Sequence, residues 1–310
     1  LIVTGVQTCA LPIYSFTGHV FYGTEAPRPY DAYISSRTKD DVIDLKVEKI
    51  FSADLSYAMN FRNFKSVVTV FFTDQRDNTE RTAFYDDQYS TFCNFALTGV
   101  HKQYKGVEVG LSYKLSPSLT VSGAANIARY QYKNRPVGTR SYENGVQEDV
   151  TQTVYLKNFY VSGTPQECYS VAFNWAGPKQ WFVELNGAWM NRSYVSLSPV
   201  RHVEIPELYK MANSEEHLQQ MIKDISQQEK LNEALVINAS IGHVIYINRT
   251  ASFNINLNLN NILNNKEIQT GGYQQGRIDT KDYANTANKF PNKYYYAQGF
   301  KMFLNLGLRF

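Results

Sequence analysis

Apolar and polar residues alternate with a period of two along most of this chain, and the pattern is clearest at the carboxy-terminus. One row there reads Phe300, Met302, Leu304, Leu306, Leu308 and Phe310, and the row between reads Gly299, Lys301, Phe303, Asn305, Gly307 and Arg309. A period of two predicts a β-strand whose two faces meet different surroundings. Strands in soluble sheets are usually about five or six residues long. This alternation is roughly twice that length, close to what a tilted strand needs to cross a bilayer.

The same alternation recurs at residues 51–61, 107–114, 119–127, 181–189 and 253–260. In the last of these, the apolar row from Phe253 to Leu259 alternates with Asn254, Asn256, Asn258 and Asn260. The solvent face of a soluble sheet usually carries charged residues, whereas uncharged polar residues suit a water-filled lumen. We therefore interpret the apolar rows as facing lipid and the polar rows as facing a lumen.

The segments between these strands are of two kinds. Short turns are predicted near residues 62–64, 116–117, 177–180 and 248–250, and long connections near 86–97, 134–151, 196–232 and 265–292. Structureless loops longer than about fifteen residues are uncommon in compact soluble domains. Short periplasmic turns alternating with long extracellular loops are typical of outer-membrane barrels. The predicted fold is therefore all-β, an antiparallel transmembrane β-barrel.

The alternation of short and long connections also fixes a count of the strands. It holds only if residues 151–177 form one descending strand, interrupted at Gly163-Thr164-Pro165. Proline cannot donate to a strand ladder and is found at bulges and edges, so an interruption there is reasonable. The chain then makes about ten crossings, an even number as in bacterial barrels. The first ascends near residues 14–22 and the last descends to Phe310.

Two polar residues lie on rows that we assign to lipid. Arg129 continues the apolar row of residues 119–127, about ten residues up the strand, which places it at the top of the apolar band, where arginine costs little. His243 lies in the apolar row of residues 235–245. We predict a neutral histidine near the periplasmic aromatic girdle rather than a metal ligand.

One short helix is predicted within residues 196–232. Ser214 can cap its amino-terminus, and Glu215 and Glu216 suit its first turn. Apolar residues follow at helical spacing, which predicts a stripe that packs on neighbouring loops. These residues are Leu218, Met221, Ile222 and Ile225.

Composition agrees with a barrel and argues against other classes. Hydrophobic residues make up 43% of the 310 residues and the mean hydropathy is −0.38, too polar for a bundle of membrane helices. Aromatic residues make up 14%, with 23 tyrosines, as aromatic girdles require. The net charge is +3, and no basic block is present, so nucleic acid is not expected as a partner.

The three cysteines, Cys9, Cys93 and Cys168, have no metal-ligand spacing and cannot all pair with one another. The run VTGVQTCALPI at residues 3–13 looks like a translated sequencing adapter. Residues 1–13 are therefore expected to be an artefact or a non-native leader, and residues 14–310 to be the carboxy-terminal portion of a barrel.

Catalytic signatures are not found. The sequence has no nucleophile elbow, phosphate-binding loop, dinucleotide fingerprint or Cys/His cluster, so neither an enzyme nor a cofactor or metal site is predicted. The long loops supply candidates for ligand binding, because aromatic rings beside charged groups can stack on a ligand and hydrogen-bond to it. The candidate residues are Tyr85, Asp86, Asp87, Tyr89, Phe92, Arg140 and Tyr142.

Four segments resemble the barrels of TonB-dependent outer-membrane receptors. Residues 45–49, LKVEK, are similar to the element LKPEK of that family, with valine in place of proline. Residues 104–109, YKGVEV, followed by 118–123, SLTVSG, resemble a hairpin of the family. Residues 257–264, LNLNNILN, resemble its VNNLLN segment. Phe310 matches the terminal aromatic residue that the barrel-assembly machinery reads.

This resemblance implies a barrel of about 22 strands filled by an amino-terminal plug, in the outer membrane of a Gram-negative bacterium. The chain would supply about the last ten strands, without the plug or the TonB box. The implied partners are outer-membrane lipid, the barrel-assembly machinery and, through the missing amino-terminal part, the TonB complex. The implied cargo is a metal chelate, a cobalamin, a glycan or a peptide. A surface lipoprotein stays open as a further partner.

Two other interpretations stay open at this point. The first is a different outer-membrane barrel that serves as an adhesin, an assembly factor or a passive pore. The second is an extracellular β-sandwich that binds a ligand, which fits the alternation but not the length of the strands.

Overall fold

Ten antiparallel strands, each hydrogen-bonded to the next, form one sheet in the computed structural model, which describes residues 13–34, 41–42, 44–86, 89–142, 147–279 and 281–310. These strands are β1 (Tyr14–Glu25), β2 (Glu48–Asn60), β3 (Phe64–Asp86), β4 (Thr91–Ser116), β5 (Leu119–Tyr132), β8 (Glu167–Ala176), β9 (Trp181–Asn191), β10 (Ala234–Tyr246), β11 (Ser252–Asn260) and β14 (Lys301–Arg309). Four shorter strands lie in the long connections: β6 (Val137–Tyr142), β7 (Val150–Thr153), β12 (Gln269–Tyr273) and β13 (Lys293–Tyr296).

The ten crossings and the four short turns are confirmed. Turns of three, two, four and five residues separate β2 from β3, β4 from β5, β8 from β9 and β10 from β11. All four lie at the same end of the sheet, which we call the turn end. The long connections lie at the opposite end, which we call the loop end.

The two faces of the sheet differ as the alternation predicts. On one face, apolar side chains stand opposite one another across the strands, as Val107 does with Val70 and Ile127. This face is exposed, and Leu304 in β14 is 53% accessible. On the other face, polar side chains hydrogen-bond across strands, including Ser240 Oγ to Asn256 Oδ1 at 2.9 Å. Further pairs of this kind are Ser52–Thr73, Ser56–Thr69 and Asn186–Asn238. The exposed apolar face suits contact with lipid outside a barrel. The polar face, whose side chains hydrogen-bond across strands, suits a water-filled interior.

His243 and Arg129 lie at opposite ends of the apolar face. His243 stacks on Trp181, with ring centroids 4.3 Å apart and ring planes at 9°, and Trp181 is the first residue of β9 after a short turn. Arg129 is exposed towards the loop end and stands directly opposite Lys105 in the β4–β5 register.

The expectation of a loop over residues 86–97 is wrong. β3 continues to Asp86 and β4 begins at Thr91, so the two strands form a hairpin that reaches far beyond the other strands. Both faces of β4 are covered in this extension, because Phe95 packs against Val154 and Val200 and Ala96 packs against Ile34 and Val42. Consecutive residues of β4 are therefore buried, from Cys93 to Thr98. Burial on both faces removes the alternation by which the strand would have been recognised.

The expectation of a single strand over residues 151–177 is also wrong for the part nearer the loop end. β7 pairs with β6 beside the long hairpin, and the crossing strand β8 begins only at Glu167. The irregular segment before it still follows β5, because the Val161 N–H donates to the Tyr130 carbonyl at 3.0 Å. Gly163, with φ of +85°, lies within the predicted interruption. The break is present but longer than expected.

The described residues of the long connections contain three α-helices, where only one was predicted. They are α1 (Pro206–Met211), α2 (Glu215–Ser226) and α3 (Thr286–Lys289). α2 is the predicted helix, and its apolar stripe packs on Leu208 and Tyr283. α1 and α3 span six and four residues, too few to show a helical period. No helix in the described part of the chain is both long and apolar enough to span a membrane.

Replacing Ser214 with Ala is expected to destabilise α2 by about 1 kcal/mol. The Ser214 hydroxyl accepts a hydrogen bond from the His217 N–H at 3.1 Å, and alanine would leave that donor without its cap. The measurement is hydrogen exchange of the α2 amides, which should become faster. Gln219→Ala, an exposed change in the middle of the same helix, is the control and should have a smaller effect. Equal exchange in the two variants would contradict the cap.

Candidate ligand pockets at the loop end

The candidate binding residues come together at the tip of the long hairpin. Tyr85 and Asp86 end β3, and Tyr89 lies in the turn that leads to β4. β6 pairs with the same part of β4, with Arg140 opposite Phe95 and Tyr142 opposite Cys93. Two separate loops of the sequence are therefore placed side by side by strand pairing.

Asp86 is the centre of this cluster. Its carboxylate accepts a hydrogen bond from the Tyr142 hydroxyl at 3.0 Å and one from Arg140 Nη1 at 3.5 Å. The Tyr89 N–H donates to its other oxygen at 3.4 Å. Asp86 is only 8% exposed, so these donors replace the water that a carboxylate would otherwise bind. Burial raises the pKa of Tyr142 to about 12, which keeps its hydroxyl protonated and able to donate.

Aromatic rings pack in pairs at the tip of the hairpin. Tyr89 packs edge-to-face on Tyr142 with centroids 5.3 Å apart, and Tyr85 does so on Phe92 at 5.6 Å. Phe92 is 57% exposed and lies outside the pocket described next. Asp87 lies outside the described residues.

A pocket of about 330 Å³ opens beside this cluster, and we call it the tip pocket. Tyr85, Asp86, Tyr89 and Arg140 line one side of it. The opposite side comes from two other connections and adds charges of both signs that the sequence did not single out. These charged residues are Glu204, Glu207 and Arg277. The tip pocket therefore combines exposed ring faces with positive and negative groups.

A second cavity, of about 400 Å³, lies beneath α2, and we call it the α2 cavity. Two polar side chains at its wall are almost fully buried, Arg201 at 4% and His202 at 2% exposure. Neither residue was predicted as a site residue, because an Arg-His pair in a long loop is usually exposed to solvent. Only the fold shows that the 199–203 segment is covered by Phe290 and Gln274.

Within the described residues, no group of three or more His, Cys, Asp or Glu side chains is placed to hold a metal ion. Cys93 and Cys168 are free thiols. Burial raises the pKa of the Cys93 thiol to about 12, so it is an inert packing residue rather than a reactive group. Cys9 lies outside the described residues.

No protein-family model matches the sequence of this chain, and no curated protein does.

Comparison of structure does find similar proteins. The copper transporter OprC is 10% identical, with a TM-score of 0.59 over 97% of this chain and 39% of OprC. The siderophore receptor PiuA from Acinetobacter baumannii is 11% identical, with a TM-score of 0.56 over 96% of this chain and 34% of PiuA. The ferric-catecholate import receptor Fiu from E. coli K12 is 12% identical, with a TM-score of 0.52 over 96% of this chain and 32% of Fiu.

These proteins are named as one transporter and two receptors, and this chain spans 32–39% of the length of each. They share its antiparallel sheet over nearly all of its length, which agrees with the ten crossings and the two contrasting faces. The chain therefore has the antiparallel fold of a part of the β-barrel of TonB-dependent outer-membrane receptors.

Proposed function

We propose that residues 14–310 form the carboxy-terminal part of an outer-membrane receptor that imports a scarce nutrient, and that the tip pocket contacts this nutrient at the cell surface. The observation that carries the proposal is the position of the tip pocket. It lies at the loop end of a receptor-type barrel, where Tyr85, Asp86, Tyr89 and Arg140 meet residues of two other loops. Loops held by a rigid scaffold are where binding residues are usually found.

A metal chelate is the cargo class that we favour. Solved receptors with the same fold are named for copper, ferric-catecholate and siderophore transport. The organic shell of a chelate presents flat rings and charged oxygens. Tyr85 and Tyr89 offer ring faces for stacking, and Arg140 and Arg277 offer cations for those oxygens.

The remaining partners follow from the same proposal. The apolar face would contact outer-membrane lipid, and the part of the receptor that precedes these strands would engage the TonB complex. Phe310 is 95% exposed beyond the end of β14, and its role as a signal for the assembly machinery stays a prediction. A surface lipoprotein partner also stays a prediction.

The test uses the complete reading frame, expressed in a Gram-negative strain that lacks its own receptors for the chelate. Uptake of a radiolabelled ferric catecholate is expected, and it should disappear when TonB is deleted. Arg140→Gln should lower uptake by about tenfold or more, because hydrogen bonds to charged groups contribute about 1.5–3 kcal/mol. Lys293→Gln, an exposed change in β13, is the control. Uptake that continues without TonB would indicate a passive pore and overturn the proposal.

A further inference from the structure

Two cations stand opposite one another on the apolar face of the sheet, directly beyond an apolar pair. Val107 of β4 is paired with Ile127 of β5, and the next outward pair towards the loop end is Lys105 with Arg129. One such step is about 7 Å along a strand, so these charges lie where the hydrocarbon of a bilayer gives way to its head groups. Both side chains are exposed, so a molecule at the barrel surface can reach them.

These two cations have no counter-ion of their own. Within the described part of the chain, no carboxylate forms an ion pair with Lys105 or Arg129. Glu167, which stands opposite Ile127 on β8, is instead bound by Arg192 at 2.9 Å. The Cβ atoms of directly opposed residues are only about 5 Å apart, and like charges in such a pair are destabilising. The Lys105–Arg129 pair therefore costs stability unless an anion from outside the chain lies between the two side chains.

A groove of about 380 Å³ lies beside this pair on the same face. The part nearer the turn end is aromatic: the rings of Phe51 and Phe72 lie 6.3 Å apart, and Phe72 stands directly opposite Lys105. The part nearer the loop end is charged, with Lys49 directly opposite Arg76. The groove therefore changes from apolar to charged in the direction that leads from the bilayer centre to the loop end.

The charged part of the groove is already neutralised by the chain itself. Lys49 Nζ lies 2.8 Å from Asp77 Oδ2, and Arg76 Nε lies 2.5 Å from Asp74 Oδ2. Each of these opposed cations therefore has a carboxylate partner. The surface that contains both pairs is left with two positive charges, and both belong to the Lys105–Arg129 pair.

We infer that Lys105 and Arg129 bind a phosphate group of an outer-leaflet lipid, whose acyl chains lie along Phe72 and the apolar row towards the turn end. Phosphate oxygens accept hydrogen bonds from both guanidinium and ammonium groups. One phosphate between the two side chains also removes their mutual repulsion. The neighbouring groove has the polarity of a lipid whose head group points to the loop end. The inference rests on the proposed function in one respect only: it assumes that the loop end faces the cell exterior.

The test measures the apparent unfolding temperature of the intact receptor in an uncharged detergent, titrated with lipid A, a glycolipid with phosphate groups on its sugars. Lipid A should raise this temperature, because a ligand that binds only the folded state stabilises it. Lipid A stripped of its phosphates should bind about 25-fold more weakly, because each cation near a membrane surface contributes about fivefold in affinity for an anionic lipid. Inorganic phosphate should have no effect at the same concentrations, because it lacks acyl chains.

Two variants assign the contacts. Lys105→Gln and Arg129→Gln should each weaken lipid A binding by about fivefold, and together by about 25-fold. Without lipid A, neither variant should unfold at a lower temperature than the wild type, because each change relieves the repulsion within the pair. A change that damaged only the fold would lower that temperature.

Lys301→Gln is the matched control. Lys301 is exposed at the loop end of β14 but lies on the polar face, opposite Asn260. The sheet separates it from the lipid, so its effect on lipid A affinity should be below about twofold. A loss as large as that of Arg129→Gln would contradict the assignment to the Lys105–Arg129 pair.

The comparison of lipids keeps the inference falsifiable without any variant. Equal affinity for lipid A with and without its phosphates would overturn it, and so would equal stabilisation by inorganic phosphate. The uptake experiment is independent, because it tests the tip pocket and energy coupling. Phosphate-dependent lipid binding without uptake would support the lipid site and contradict only the transport proposal. TonB-dependent uptake by a receptor that does not distinguish the two forms of lipid A would do the reverse.

Discussion

Replacing Leu257 with Arg is expected to destabilise the folded receptor by about 2–4 kcal/mol, the cost of arginine on the lipid face near the bilayer midplane. Leu257 lies midway along β11, between Ile241 of β10 and Leu304 of β14. All three side chains lie on the apolar face, so a guanidinium there has no water and no counter-ion. The measurement is the urea midpoint of the complete receptor refolded into lipid vesicles.

Asn258→Arg provides the matched control, because the neighbouring residue of the same strand points to the opposite face. Asn258 stands beside Ser240 and Phe303 on the polar face, where a charge can remain hydrated. The expected cost is below about 1 kcal/mol. If Asn258→Arg were the more harmful change, the assignment of lipid and lumen to the two faces would have to be reversed.

Replacing Asp86 with Ala is the other change with a large expected effect. It removes the acceptor of the Tyr142 hydroxyl and the anion beside Arg140, leaving a cation that is only 19% exposed. We expect the free energy of local opening at the hairpin tip to fall by about 2–3 kcal/mol, less than for a fully buried pair. Hydrogen exchange of residues 84–95 measures this quantity.

Tyr142→Phe is a milder change in the same cluster, and its effect can be compared with that of Asp86→Ala. It removes the hydrogen bond from the Tyr142 hydroxyl to Asp86 and the longer one, 3.5 Å, that Arg140 Nη1 donates to that hydroxyl. The Asp86–Arg140 pair stays in place, so a loss of about 1 kcal/mol is expected. Equal protection of the tip amides in both variants and in the wild type would show that Asp86 does not organise the cluster.

The membrane-crossing part of the fold could be predicted because each strand there contacts two different environments. Leu257 faces lipid and its neighbour Asn258 faces water. This difference makes apolar and polar residues alternate in the sequence with a period of two. The turn end was predictable for a related reason, since the turns at residues 62–64 and 248–250 interrupt that period sharply. The cap of α2 was predictable because Ser214 acts on a residue only three positions away.

The loop end could not be predicted in the same way, because packing there depends on residues distant in sequence. Phe95 is buried by Val154 and Val200, and the extended hairpin therefore lacks an alternating pattern. Tyr85, Asp86, Arg140 and Tyr142 were recognised as candidates by residue type, and their grouping depends on the pairing of β6 with β4. Arg201 and His202 were missed, because their isolation from water depends on Phe290 and Gln274, some 70 to 90 residues away.

The length of the long hairpin sets how far the molecule reaches from the membrane. β3 and β4 contain 23 and 26 residues, and a crossing uses only about ten of them. At about 3.3 Å per residue and a tilt of about 35–45°, the remainder of β3 carries the tip roughly 30–35 Å above the lipid. Tyr85 and Phe92, which are 40% and 57% exposed, would therefore stand well clear of the lipid surface.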